Sequence, residues 1–261
     1  MAHTLDKNPK QYPLRGLKEN VRFAVIACRK SLFSLQMKTL SNFLLFLGAS
    51  MGVAAQETNS QYHFFGFSDD TKYASLEVYA EGPVATEPPS TRFIFVDVDK
   101  NAYATSTVNF IGKVGAQMQE VRKLGMAKAE PYFMKFKISG KNAGIQIPMN
   151  VEQQEENAEA LFFRYNGVDY KLAMKSVPTG DKLLEMFVKK KMDLVLMFSQ
   201  KTRILQRDNG VPSSRGFVVR YSLKDVYVLE NKIAVVVEYA VAPGFEGVMD
   251  KYQMLVTGTL N

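Results

Sequence analysis

His63 is the one histidine that follows residue 55, and the single cysteine, Cys28, precedes that point. A Ser-His-Asp triad or a multi-histidine metal site in the later part of the chain would have to use His63. The aromatic run Tyr62-His63-Phe64-Phe65 is typical of a strand, and a strand histidine with one face toward solvent is the simpler interpretation. The sequence therefore predicts no catalytic residue, no metal ligand and no cofactor.

The segment Gly48-Ala49-Ser50-Met51-Gly52 matches the G-x-S-x-G pattern, which holds a serine nucleophile on a sharp turn between a strand and a helix. Here the pattern lies within an apolar run, with no strand pattern before it and no helix pattern after it. The structural context that the motif needs is missing, so the motif does not predict a nucleophile.

Asp97, Asp99 and Asn101 have the spacing of the first three ligands of a calcium-binding loop. The sixth position of such a loop would be Ala102 rather than glycine, and the twelfth would be Val108 rather than glutamate. Asp and Asn also bond their own backbone in turns. A calcium loop and a hairpin turn are both open here, and the missing ligands favour the turn.

The remaining charged residues form no compact motif. Lys189-Lys190-Lys191 is a basic run without a second basic cluster that carries aromatic residues, which is typical of a solvated edge. Acidic residues are numerous, since 24 Asp and Glu follow residue 55. Two carboxylates that met across a cleft would suit glycoside hydrolysis, but spacing in sequence does not reveal which pairs meet.

The segment from Met37 to Gln56 has the features of a secretory signal peptide. Lys38 gives it a short positive start, and Leu40–Val53 is an apolar run of about 14 residues, shorter than the ~20 residues of a membrane-spanning helix. Val53-Ala54-Ala55 places small residues at the −3 and −1 positions of a cleavage site. We expect cleavage near Ala55, a secreted or periplasmic protein, and no stable membrane span after cleavage.

Residues 1–36 are unusual, because a signal peptide normally begins close to the start of translation. We expect either that translation starts at Met37 or that residues 1–36 are an extended n-region. Residues 37–55 are then the signal peptide, and residues 56–261 are a mature region of one domain or two closely packed subdomains. This mature region holds 25 basic and 24 acidic residues. The high pI therefore gives no reason to expect a nucleic-acid partner.

Alternating apolar residues and turn residues predict a β-rich α+β fold with mainly antiparallel sheet. The predicted strands are Tyr62–Phe67, Lys72–Glu81, Arg92–Val98, Ala102–Val108, Tyr132–Ile138, Gly144–Met149, Leu161–Tyr165, Val168–Met174, Asp193–Ser199, Phe217–Leu229, Lys232–Val241 and Tyr252–Leu260. Asn166-Gly167 is the strongest hairpin signal, since it suits a type I′ turn. The chain has no repeat of fixed period, which argues against a complete propeller.

One principal helix is predicted at about residues 111–128. Apolar residues recur there at helical spacing: Ile111, Val114, Met118, Val121 and Leu124. The helix is expected to end before Pro131, which cannot donate a helical hydrogen bond. Asp181–Val188 is expected to be a second, short helix, and Val151–Glu159 a solvated loop or short helix.

Two stretches carry a family resemblance. Phe64–Tyr103 contains FFGFSDDTKYASLEVY and RFIFVDVDKNAY, and Arg220–Leu260 contains RYSLKDVYV and AVVVEYAVAPGFEGVMDKYQMLVTGTL. The aromatic-Gly-Phe-Ser turn, the strand that ends in Val-x-Asp, the Pro243–Gly247 turn and the Val-Thr-Gly ending resemble a bacterial family of predicted secreted proteins, domain-of-unknown-function family 2259. The resemblance implies secretion and a shared fold. It implies no activity and supplies no catalytic residue.

The segment from Val241 to Gly247 interrupts an apolar strand with a proline and two glycines around Phe245 and Glu246. Proline cannot donate to a sheet ladder, and glycine adopts backbone shapes that other residues resist. We expect a functional surface formed by Phe245, Glu246, Phe67 and Asp69. The alternative is that Phe245 fills the core and Glu246 caps a backbone group.

Together these features predict an exported, non-catalytic binding or interaction module. Its expected partner is an unidentified envelope protein or ligand. The alternative function is a carboxylate-dependent hydrolase.

Overall fold

Three antiparallel sheets and one long helix make up the described part of this computed structural model, which comprises residues 60–82, 87–183, 187–242 and 249–260. The chain divides into two units, Met1–Ala54 and Ala55–Asn261, and every described residue belongs to the second. The predicted signal segment lies outside the described residues. Within them, no helix has the length and hydropathy needed to cross a membrane.

Sheet I is formed by the first five strands, in the order β1-β2-β3-β4, with β5 also paired to β3. These strands are β1 (Gln61–Phe67), β2 (Tyr73–Ala80), β3 (Ser90–Asp97), β4 (Ala102–Tyr103) and β5 (Val108–Ile111). Helix α1 follows at Met118–Phe136. The predicted return strand Ala102–Val108 is therefore two short pairings with β3 rather than one strand.

Sheet III takes the next part of the chain and has the order β11-β10-β9-β8-β7. Its strands are β7 (Val151–Glu155), β8 (Ala158–Tyr165), β9 (Val168–Leu183), β10 (Phe187–Phe198) and β11 (Lys201–Arg207). The predicted Asn166-Gly167 turn joins β8 to β9, and both residues have the positive φ angles that a type I′ turn requires, 49° and 78°.

Sheet II has the order β14-β13-β12-β6 and lies between the other two sheets. Its strands are β6 (Ile145–Gln146), β12 (Val218–Leu229), β13 (Lys232–Val241) and β14 (Asp250–Thr259). A 3-10 turn at Ser213–Arg215 leads into β12. Ile233, Val235 and Val237 of β13 pack toward sheet III, while Ala234 and Val236 pack toward sheet I. Both faces are buried along residues 233–237, which form a continuous apolar run, as expected for a strand covered on both sides.

Helix α1 covers the face of sheet I that points away from sheet II. Ala129 and Phe136 pack against Phe93 and Phe95 of β3. At the other end of the interface, Arg122 donates two hydrogen bonds to the carboxylate of Glu77 on β2, from Nε to Oε1 at 2.9 Å and from Nη2 to Oε2 at 2.7 Å. The helix is thus held by an aromatic cluster and by one bidentate ion pair.

The position of this helix corrects the prediction of residues 111–128. Ile111 and Val114 lie before the helix and are exposed, and Leu124 is also exposed. The buried face is Val121, Gly125, Ala129 and Phe136. Pro131 lies inside the helix, because packing of the last turns on sheet I outweighs the ~3 kcal/mol that an interior proline costs. Tyr132–Phe136, predicted as strand, is therefore helical.

Two further local predictions are wrong for a related reason. Asp181–Leu183 and Phe187–Val188 continue strands β9 and β10, where a short helix was expected. Val151–Glu155 is an exposed edge strand rather than a loop or helix. In both places cross-strand pairing outweighs the weak local preference of a polar segment. Strand β11 has no counterpart among the predicted strands.

Candidate functional site

Strand β14 is an edge strand of sheet II. Side chains from outside this sheet form hydrogen bonds with the backbone groups on its open edge and so cap it. Ser60 Oγ donates to the Lys251 carbonyl at 2.6 Å, Arg92 Nη2 to the Gln253 carbonyl at 3.3 Å, and Arg203 Nη1 to the Thr259 carbonyl at 3.1 Å. The Thr257 N–H donates to Asn101 Oδ1 at 2.8 Å. An open strand edge would invite pairing with another chain, and these caps prevent that over most of β14.

The capped residues of β14 are every second one, at positions 251, 253, 257 and 259. In the described structure, Leu255 is the one residue in this alternation that has no cap. A strand turns the N–H and C=O groups of alternate residues to the same edge. The Leu255 N–H and C=O therefore face outward, between the Arg92 cap and the Asn101 cap. Among the described hydrogen bonds, none from a side chain reaches this backbone group.

A cavity of about 410 Å³ opens at this gap, within the usual range for small-ligand sites. We call it the edge pocket. Its lining residues come from sheet I, from sheet II and from the β11–β12 region: Arg92, Val96, Asn101, Ala102, Tyr103, Thr107, Gln206, Pro212, Ser214, Arg215, Tyr239, Gln253, Met254 and Leu255. All three sheets therefore contribute to one concave, polar surface.

Arg92 is the most unusual residue of the edge pocket. It lies on β3 and is half-buried, and none of the ion pairs among the described residues includes it. Its guanidinium donates to the Gln253 carbonyl and lies beside the Tyr239 hydroxyl. A guanidinium has five N–H donors, so Arg92 retains donors for another group.

Arg215 supplies a second positive charge, but that charge is partnered. Its Nη1 lies 2.7 Å from Asp208 Oδ2 and 3.3 Å from the Tyr221 hydroxyl. Asp208 is 4% exposed and also accepts from the Met192 N–H and from Gln206 Nε2. The pocket and its buried carboxylate therefore hold two arginines against one acid, an excess of one positive charge.

Tyr239 brings a neutral phenol to the same place. Burial raises the pKa of Tyr239 above its ordinary value, while the charges of Arg92 and Arg215 act in the opposite direction. The hydroxyl therefore stays protonated near neutral pH and can both donate and accept a hydrogen bond.

Asn101, one of the three residues that resemble calcium ligands, has a different role. Its φ is 47°, and its side-chain amide bonds the Leu205 carbonyl of β11, Gln206 and the Thr257 N–H of β14. Asp97 binds Lys100, and Asp99 pairs with Lys232. The three residues form a turn whose asparagine links the sheets. Among the described residues no group of three His, Cys, Asp or Glu could hold a metal ion.

The described structure includes two of the four residues predicted to form an interaction surface, Phe67 and Asp69. Phe67 is completely buried in the core between sheets I and II, so its side chain is not available to a partner. Asp69 is exposed and accepts a hydrogen bond from Asn142 Nδ2 at 3.1 Å. Phe245 and Glu246 lie outside the described residues.

His63 and Lys189–Lys191 also have ordinary surroundings. His63 is exposed on β1, with its ring edge-on to that of Phe65. Lys190 Nζ bonds Asn157 Oδ1, and Lys189 pairs with Asp181. A second cavity, of about 590 Å³, contains Glu159 and Ser176. Both cap backbone N–H groups of β12, those of Leu223 and Tyr221, and so have structural roles.

Sequence reasoning missed the edge pocket apart from Asn101. Arg92 was predicted only as part of a strand, and Arg215 was not singled out in the sequence. The signal that could have marked Arg92 is its alternation with Ile94 and Val96, which both lie on the buried face of β3. An arginine in the register of a core face indicates either a buried partner or a pocket.

The comparisons with known proteins agree with the resemblance seen in the sequence. A family model described as a predicted secreted protein, DUF2259, matches residues 86–259, a range that includes every lining residue of the edge pocket. No curated protein and no solved structure matches the chain. The chain therefore belongs to the DUF2259 family of predicted secreted proteins.

Proposed function

We propose that this protein is exported to the periplasm or beyond and acts as a non-catalytic binding module whose ligand occupies the edge pocket. The observation that carries the proposal is Arg92, a half-buried arginine that pairs with no carboxylate of the described residues, in a concave surface built by all three sheets. A structural arginine at such a depth is normally paired. An arginine that retains donors inside a pocket is instead suited to a ligand.

Two adjacent serines near the pocket provide a matched pair of variants to test this proposal. Ser214 lies exposed at its rim, and Ser213 lies next to it on the same 3-10 turn but outside the lining. A Ser214→Trp substitution would fill the pocket, whereas Ser213→Trp adds the same bulk beside it. The two variants separate occupation of the pocket from any general effect of an added indole.

The experiment is calorimetric titration of the protein with a panel of small sugars, sugar acids, amino acids and dicarboxylates. We expect at least one compound to bind with one-to-one stoichiometry. Ser214→Trp should abolish that binding, and Ser213→Trp should retain it. If Ser214→Trp binds every compound as well as the unchanged protein does, the ligand does not occupy the edge pocket and the proposal fails.

The earlier expectations of an interaction surface and of a hydrolase stay predictions. The surface centred on Phe245 and Glu246 would require a Phe245→Ala variant that keeps its thermal stability and loses a partner. A carboxylate-dependent hydrolase would require two acids across one cleft. Two acids, Glu156 and Glu159, line the 590 Å³ cavity. The buried Glu159 caps the Leu223 N–H and lies 3.7 Å from Arg220, so its carboxylate has a structural role that competes with catalysis.

A further inference from the structure

The hydrogen-bonding groups of the edge pocket are unevenly used. Its side-chain amide oxygens are occupied: Asn101 Oδ1 by the Thr257 N–H, Gln206 Oε1 by Asn101 Nδ2, and Gln253 Oε1 by Ser60 Oγ. The carboxylate of Asp208 behind the pocket accepts from three donors. The donors of Arg92 are mostly unused, since one backbone carbonyl and one phenol are its partners. The pocket therefore offers more donors than acceptors to a ligand.

The edge of β14 adds one backbone donor and one backbone acceptor at fixed positions to these side-chain donors. The Leu255 N–H faces the gap between the two caps, and the Leu255 C=O faces the same way. Arg92 is held at the Gln253 carbonyl, two residues earlier on the same strand. Two residues span ~7 Å along a strand, so a single carboxylate can bridge the guanidinium and the Leu255 amide. The Leu255 carbonyl is then placed to accept from a hydroxyl close to that carboxylate.

The volume of the edge pocket and its exposed aromatic ring further limit the class of ligand. A cavity of about 410 Å³ has room for a monosaccharide. Tyr103 lines the rim and is 60% exposed, so its ring can lie against an apolar face of such a ligand. The net positive charge of the pocket opposes a cationic ligand.

We propose that the edge pocket selects a small hydroxycarboxylic acid of monosaccharide size, with its carboxylate between Arg92 and the Leu255 N–H and a neighbouring hydroxyl on the Leu255 C=O. This assignment rests on the proposed binding function and names its ligand class. Arg92 provides the planar fork that matches two carboxylate oxygens, and the strand edge provides the orientation.

The test uses acidic and neutral compounds in matched pairs: glucuronate with glucose, galacturonate with galactose, and gluconate with sorbitol. Inorganic phosphate tests whether any anion suffices. We expect at least one acid to bind about 10- to 100-fold more tightly than its neutral partner, because charged hydrogen bonds are lost with the carboxylate. Added salt should weaken the binding of the acid and leave that of the neutral compound unchanged.

Arg92→Gln and Arg203→Gln form the matched pair of variants, since each arginine caps a β14 carbonyl and only Arg92 lines the pocket. Arg92→Gln should remove the preference for the acid, and Arg203→Gln should preserve it. Unfolding curves of both variants establish that they fold.

The outcomes separate the two proposals. If a neutral compound binds as tightly as its acid, and Ser214→Trp still abolishes binding, the ligand class is wrong and the binding function stands. If phosphate competes fully with the acid, the site binds anions in general, and the proposed selectivity for a hydroxycarboxylic acid is wrong. If no member of any pair binds, the ligand class is overturned, and the wider panel alone decides the binding function.

Discussion

Two arginines lie on opposite faces of sheet I, Arg122 from helix α1 and Arg92 from β3, and of these two only Arg122 is paired with a carboxylate of the described residues. On the helix side, Arg122 forms a bidentate ion pair with Glu77, a carboxylate that is 1% exposed. Thr91 donates to the same carboxylate at 3.0 Å. On the side of sheet II, Arg92 has a backbone carbonyl at 3.3 Å and no carboxylate among its described partners. Thr91 and Arg92 are neighbours in β3, so adjacent residues point into the two environments.

The contrast between Arg122 and Arg92 distinguishes a charge that stabilises the fold from a charge that is available to a ligand. The ion pair of Arg122 is closed, because both oxygens of Glu77 accept from it and its guanidinium also lies 3.9 Å over the Tyr79 ring. Charge that is satisfied on every side stabilises the contact between helix and sheet and has little left for a ligand. Arg92 has the converse surroundings, so the edge pocket offers more to a ligand than the groove beside α1, a cavity of about 640 Å³ lined by Glu77, Tyr79 and Arg122.

Breaking the closed pair should have the largest effect. Arg122→Met leaves the buried Glu77 carboxylate with the Thr91 hydroxyl as its remaining side-chain partner. We expect the free energy of unfolding to fall by about 3 kcal/mol, the lower end of the range for an uncompensated buried charge, because Arg122 is partly exposed and the groove admits water. Urea denaturation monitored by circular dichroism measures this loss.

The control for that variant is the double substitution Glu77→Met and Arg122→Met. Replacing both partners removes the buried charge together with its ion pair, so most of the stability should return. A double variant as unstable as Arg122→Met alone would show that the helix depends on the ion pair itself, contrary to this account.

Gly125 tests how closely α1 lies on the same face of sheet I. Alanine is a better helix former than glycine by about 1 kcal/mol, so helix propensity alone predicts a stabilised Gly125→Ala variant. A Cβ at this position would lie 2.3 Å from Thr91 Cγ2 and 3.2 Å from Phe93 Cε2. We expect a net loss of about 1–2 kcal/mol from overpacking, measured by thermal and urea unfolding.

Thr91→Ser provides the rescue for Gly125→Ala. Serine keeps the hydroxyl that bonds Glu77 and removes the methyl group that the new Cβ would contact. The double variant should regain part of the lost stability. Equal stability of Gly125→Ala and the unchanged protein would mean that the helix can move away from the sheet without cost.

Arg92→Met should affect stability much less than Arg122→Met does. It removes a hydrogen bond to the Gln253 carbonyl and, among the described residues, leaves no buried carboxylate without its partner. We expect a loss of about 1 kcal/mol, roughly a third of the loss for Arg122→Met. Comparable losses for the two variants, compared in the same buffer, would refute the distinction between closed and available arginines.

Local sequence determined the hairpins well. Asn166-Gly167 predicts its own turn, because both residues tolerate positive φ, and the register of β8 and β9 follows from it. The family and the β-rich antiparallel class with one helix are confirmed. The predicted bounds of the helix were too early in the chain. Its buried face includes Gly125 and Ala129, whose small side chains give no strong apolar period.

The edge pocket could not be predicted in this way. Arg92, Asn101, Arg215 and Leu255 lie on different strands and turns, and they meet because three sheets stack. No local pattern encodes that stacking order. The sequence favoured a turn at Asn101, as observed, but no local pattern shows that this turn directs the Asn101 amide to β11 and β14.

Two tyrosines extend the comparison to the smallest expected effects. Burial and the neighbouring carboxylate of Asp225 raise the pKa of Tyr227 to about 12, from an ordinary value of 10.0. Tyr239 is also raised by burial, but Arg92 and Arg215 act against that rise. The folded state thus favours the neutral phenol of Tyr227. The stability from this preference is present below pH 10 and is lost as the pH rises from about 10 to 12.

Single substitutions should therefore move the two pKa values in opposite directions. Asp225→Asn removes a negative charge beside Tyr227, so the pKa of Tyr227 should fall toward its ordinary value, and stability should decline less steeply above pH 10. Arg92→Gln removes a positive charge beside Tyr239, so the pKa of Tyr239 should rise. NMR titration of ring-labelled tyrosine measures both shifts in the folded protein. If Arg92→Gln leaves the pKa of Tyr239 unchanged, the guanidinium does not face that phenol in solution. The positive charge assigned to the edge pocket would then have to come from Arg215 alone, whose ion pair with Asp208 leaves no excess for a ligand.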